Sequence, residues 1–73
     1  MLRFQLKDLI AKKEIKEKRK ITLEEISQVT GIHRTTLSKI VNKENYNTTT
    51  DVINKLCEYF DVDVSKLIKY IKD

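Results

Sequence analysis

One glycine and no proline in 73 residues leave this chain few places to turn sharply. Tight hairpin turns need residues that accept φ > 0, and glycine is the one that does so without steric cost. A strand-rich fold is therefore disfavoured, and several helices joined by short connections are the easier solution. Gly31 should mark the sharpest of those connections. A chain this short buries only about 60% of its unfolded surface, so its core is small and little space remains for a deep pocket. We expect one domain spanning residues 1–73.

The apolar residues carry helical spacing. Leu6, Leu9 and Ile10 recur at i, i+3, i+4 and predict a first helix from about Phe4 to Lys18, with Ile15 a further candidate for its inner face. Thr22-Leu23-Glu24-Glu25 has the form of a capping box: the Thr22 hydroxyl accepts the Glu25 N–H, and the Glu25 carboxylate reaches back to the N–H of Thr22. A second helix follows from Leu23 to about Thr30, with Ile26, Val29 and Thr30 inward, and Gly31 ends it. A third helix runs after His33 to about Asn42, with Leu37, Ile40 and Val41 as its buried stripe. On its opposite face fall Thr35, Ser38, Lys39 and Asn42, which are polar and include no acid.

A loop rich in Asn and Thr covers residues 43–48. Thr48 or Thr49 caps a fourth helix ending near Phe60, where Asp61 stands in the place of a glycine C-cap. Val52, Ile53, Leu56, Cys57 and Phe60 form its apolar stripe. Asp63 opens a fifth helix with Val64, Leu67 and Ile68 inward. The fold class is thus all-α, with five helices.

Function classes can be excluded on the same grounds. One His, one Cys and no glycine-rich phosphate loop supply no catalytic residues, no metal site and no cofactor cradle. Cys57 reads as a small buried hydrophobe. The longest unbroken apolar run, Leu9-Ile10-Ala11, is far too short for a membrane span or a signal-peptide core, so a cytoplasmic protein with no membrane partner and no small-molecule ligand is expected. The net charge of +4 is uneven: residues 1–20 carry +5, residues 21–50 are neutral, and residues 51–73 carry −1. Lys16, Lys18, Arg19 and Lys20 concentrate it. Such a run suits a polyanionic partner, or simply a solvated helix end.

Two short helices around a three-residue turn form a unit in which the first braces the second and leaves one face free. Ile26, Ile32, Leu37 and Ile40 would make the core between them, with Ser27 small enough for a close crossing. The stretch from Thr22 to Ile40, with its Thr-Gly-Ile-His-Arg-Thr-Thr-Leu-Ser-Lys-Ile centre, resembles the helix-turn-helix of the Cro and phage-repressor type, or XRE, family. Residues 52–60 resemble the fourth helix of its very small members, and residues 67–71 their C-terminal end.

The resemblance implies a five-helix lambda-repressor-like domain whose helix-turn-helix spans 22–42 and whose third helix enters the major groove of double-stranded DNA. Carried over by position, His33, Arg34, Thr35, Ser38, Lys39, Asn42 and Lys43 are the candidate contacts. Arg34 heads the recognition helix and reaches a guanine edge or a phosphate. Thr35 and Ser38 meet base edges or phosphates, Lys39 a guanine or a phosphate, and Asn42 and Lys43 phosphates. Tyr46 either stacks on the sugar-phosphate chain or covers the edge of the core.

The chain departs from the pattern in three places. Leu23 stands where many relatives carry a phosphate-anchoring Gln, and as an apolar side chain it packs inward. His33 stands where Ser is usual; it is a weaker cap, but once protonated it donates to a phosphate. The first helix and its linker are longer, and the added residues are the basic ones. The expected function is sequence-specific transcriptional regulation by promoter occlusion or recruitment. A protein-interaction module, such as an antitoxin or adaptor, is the alternative. A homodimer would use the C-terminal end, around Tyr70 and Ile71.

Overall fold

Each helix of this chain contributes at least one branched side chain to a single buried cluster. The computed structural model describes residues 1–43 and 46–72. In chain order they form β1 (Leu2–Phe4), α1 (Leu6–Glu17), α2 (Leu23–Thr30), α3 (Arg34–Asn42), α4 (Thr50–Phe60), α5 (Val64–Leu67) and β2 (Ile68–Tyr70). Leu6 of α1, Ile26 of α2, Leu37 and Ile40 of α3, Leu56 of α4 and Leu67 of α5 are all fully buried. Ile21 and Ile32 lie in connections and join the same cluster.

The chain is mostly helical with five helices, as its apolar spacing predicts. One element adds to that reading. β1 and β2 pair antiparallel, with Leu2 opposite Tyr70, Arg3 opposite Lys69 and Phe4 opposite Ile68. The Ile71 N–H donates to the Met1 carbonyl over 2.7 Å, extending the pairing beyond the strands. Phe4 therefore precedes α1 instead of opening it, and Ile68 leaves α5 for the sheet. Three-residue strands carry no readable alternation, and their partner lies more than 60 positions away in the chain.

Side chains at element ends and edges differ from the sequence reading. Ile15 is 77% exposed, Val29 67% and Val64 49%, so none faces the core. Helical spacing places Val29 beside Ile26, but α2 is too short to be covered at both ends. Phe60 and Cys57 pack against the core and are only half-buried.

The caps explain where the helices begin and stop. Thr22 Oγ1 accepts the Glu25 N–H at 3.1 Å, and Thr49 Oγ1 accepts the Val52 N–H at 3.2 Å. Thr49, and not Thr48, is thus the cap of α4. Asp61 (φ 52°) and Lys18 (φ 55°) take the left-handed conformation just past α4 and α1. Gly31 does the same after α2, with φ 79° and its N–H on the Ser27 carbonyl at 2.8 Å. A methyl group there would meet nothing within 4 Å. Gly31→Ala should nonetheless lower stability by about 1–2 kcal/mol through backbone strain alone, read as a shift in urea midpoint, and Gly31→Asn should lower it less.

Candidate nucleic-acid interface

The turn between α2 and α3 is held by side chains as well as by Gly31. Ser27 Oγ donates to the Ile32 carbonyl at 2.6 Å. Thr30 Oγ1 donates to the Ile26 carbonyl at 2.7 Å and accepts the Ile32 N–H at 3.1 Å. Small size explains only part of the need for Ser27; its hydroxyl also closes the turn. With Ile32 buried behind these bonds, α3 leaves the turn in one direction.

α3 is anchored by Leu37 and Ile40, which turns its other face outward. Arg34, Thr35, Ser38 and Lys39 line one shallow depression on that face. His33, Arg34, Thr35, Lys39, Asn42 and Lys43 are exposed, and Ser38 is half-buried. Asn42 Nδ2 donates to Ser38 Oγ at 3.2 Å, one turn away. Among the described residues no carboxylate pairs with Arg34, Lys39 or Lys43. The sequence-derived contacts are thus gathered on one surface, at the head, middle and tail of α3.

Three side chains behave differently from expectation. His33 is a working cap: its Nδ1 accepts the Thr35 N–H at 3.1 Å. That bond requires an unprotonated Nδ1, so the ring caps the helix in its neutral form and not as the cation. Tyr46 packs half-buried against the core and also lies under the Lys39 amine, 5.7 Å from Nζ to the ring centroid. It covers the core edge and touches the interface through Lys39. Leu23 packs against the core, as an apolar residue in place of the phosphate-anchoring Gln should.

The N-terminal basic run divides. Lys16, Lys18 and Lys20 are exposed. Arg19 is not a free cation. Its guanidinium grips both Glu25 carboxylate oxygens at 2.7 Å and reaches Glu17 at 3.0 Å. Glu25 therefore turns toward Arg19, and the structure gives its carboxylate no bond to the Thr22 N–H; only the Thr22 half of the capping box forms. Lys13 extends the network, 2.6 Å from Glu17 and 4.9 Å from the centre of the Tyr59 ring. Hydrogen bonds from Arg19 hold Glu25 below its usual value, and those from Lys13 and then Arg19 do the same for Glu17. The Tyr59 hydroxyl is buried beside this network, and burial pushes its phenol up.

A cleft of about 330 Å³ escaped the sequence reading. It lies beside Ile40 and Val41 of α3 and carries Lys7 and Lys69 on its rim. The pairing of β1 with β2 assembles it, and no local pattern announces that pairing. Among the described residues there is no cluster of three metal-ligating side chains and no helix long and apolar enough to cross a membrane.

The sequence profile of the Cro/C1-type HTH DNA-binding domain family matches residues 5–73. The chain belongs to that family. No curated protein and no solved structure shows a significant match to it. This Cro/C1-type domain is therefore a DNA-binding domain of the transcription-regulator kind, from a family that is not an enzyme family.

The Arg19 clasp makes the domain's stability sensitive to acid. Glu25 and Glu17 have lower values folded than the usual 4.5, so their contribution is present above that pH and is lost as pH falls through the folded values. The urea midpoint should drop between pH 5 and pH 3, on the scale of ordinary carboxylate titration at about 4. Glu25→Gln should start lower at neutral pH and lose less on acidification.

Proposed function

We propose that this Cro/C1-type domain is a sequence-specific transcriptional regulator that lays α3 in the major groove. The observation that carries the proposal is the outward face of α3: exposed, polar, free of acid, and braced from behind by Leu37 and Ile40. A helix with its side chains is about 10–12 Å across and fits a groove about 12 Å wide. Arg34 at the head of the helix presents a planar fork suited to a guanine edge. Thr35, Ser38 and Lys39 face bases and adjoining phosphates. Asn42, Lys43 and His33 bind the backbone and set register. Lys16, Lys18 and Lys20 add phosphate contacts, and Arg19 serves the clasp instead. Regulation follows from occupying a promoter or from recruitment there, on the nucleoid in the cytoplasm.

Leu23 favours a second reading, in which the domain keeps the fold and works as a protein-interaction module. Titration against mixed-sequence duplex DNA at several salt concentrations separates the two. A DNA binder loses affinity with a slope in log K of about 0.9 per phosphate neutralised. Arg34→Ala and Lys39→Glu should weaken binding by tenfold or more, on the scale of about 1–3 kcal/mol for a good base contact. Absence of binding at low salt would sink the DNA reading.

Relatives of this domain type commonly bind as dimers on half-sites about 34 Å apart. We place the homodimer contact at the sheet edge, where Met1, Leu2 and Tyr70 are exposed together and Leu2 faces Tyr70 across the strands. This refines the C-terminal location, since Ile71 is half-buried and tied to Met1. A patch this small falls short of the about 20–30 residues a side of a standard interface, so self-association should be weak without DNA. Sedimentation at rising concentration should show it, and Tyr70→Lys should abolish it; monomers in both cases would remove the proposal.

A further inference from the structure

His33 is the only histidine of the chain, and its ring does one job that the DNA reading alone does not require. The main chain at His33 is extended (φ −60°, ψ 136°), and its carbonyl accepts the Leu37 N–H at 3.2 Å. The ring folds back so that Nδ1 accepts the Thr35 N–H at 3.1 Å. One residue thus satisfies two N–H groups of the first turn of α3.

The chemistry of imidazole then fixes the proton. A neutral ring has one N–H and one bare nitrogen. With Nδ1 engaged as the acceptor, the hydrogen belongs to Nε2. The ring is planar and rigid, so turning Nδ1 toward the helix directs Nε2–H away from it. Among the described residues nothing accepts from Nε2, and the residue is exposed at the head of the acid-free face, beside Arg34.

We infer that His33 joins DNA in a single neutral tautomer, with Nδ1 capping α3 and Nε2–H donating to a phosphate oxygen of the duplex. The inference rests on the DNA-binding reading above and names the atom that makes the contact. A hydroxyl cap sits close against the helix it serves. An imidazole separates acceptor and donor across a ring, and so caps the helix while holding a donor farther out. The cap also orients that donor before DNA arrives, which lowers the ordering cost of the contact.

Two independent readouts test this. Nitrogen-15 NMR of the ring in the full, DNA-free chain, at about two pH units above the ordinary imidazole value near 6.5, should show a bare Nδ1 and a protonated Nε2. A predominant Nδ1–H tautomer, or the averaged signals of a free imidazole, would overturn the cap. The second readout compares His33→Ser with His33→Ala. Ser keeps a capping oxygen, so the melting temperature should stay near that of the parent. Ala should lower it by about 4–8 °C, the scale of one lost cap in a domain of this size.

Both variants should bind mixed-sequence duplex roughly tenfold more weakly than the parent, the scale of one hydrogen bond to a charged acceptor. Parental affinity in His33→Ser, with salt-dependent binding retained, would overturn the Nε2 contact and leave the DNA reading standing. A parent that binds no duplex at low salt would overturn that reading and the contact with it, and the tautomer would then decide the cap alone.

Discussion

The shared burial of one or two branched side chains per helix is the interaction on which everything else here depends. A domain of this size has room for one small core. Leu6, Ile26, Leu37, Ile40, Leu56 and Leu67 fill it, and every helix is represented. None of these helices is longer than 12 residues, and isolated helices of that length are marginal in water. They exist because their inner faces meet. The same meeting turns the polar side of α3 outward, so the interface is a consequence of packing as much as of its own residues.

The polar bonds around the turn convert that packing into a direction. Hydrophobic contact is non-directional, and by itself would hold α3 against α2 at a range of angles. Gly31, the Ser27 and Thr30 hydroxyls and the His33 ring remove that freedom. Each satisfies a main-chain group that a helix end or turn would otherwise leave open. Arg34, Thr35, Ser38 and Lys39 then sit on one surface because the frame behind them is closed.

Electrostatics distributes the charges between two tasks. The densest basic stretch of the chain lies upstream of the helix-turn-helix, and its Arg19 joins the end of α1 to the start of α2 through Glu17 and Glu25. Formal net charge counts Arg19 as available to a polyanion; geometry shows it neutralised. Arg34 and Lys39 carry less of the total charge, yet no carboxylate among the described residues pairs with them. Unpaired position, and not abundance, separates the cations that can meet phosphate from those that hold the fold.

Much of this was legible in the sequence because it rests on short-range rules. The starts of α2 and α4, the stop at Gly31, and the stripe of Leu37 and Ile40 follow from capping chemistry and helical period, which involve residues only a few positions apart. The candidate contacts from His33 to Lys43 were legible for the same reason, since one helix face carries most of them. Other features required chain segments to meet. The pairing of Leu2–Phe4 with Ile68–Tyr70, the turn of Glu25 from Thr22 to Arg19, the seat of Lys39 over Tyr46 and the exposure of Val29 and Val64 are decided by what lies across the core. Periodicity tells which side of a helix is apolar. Only the tertiary structure decides how far a neighbour extends to cover it, and which of two partners within reach a charged side chain takes.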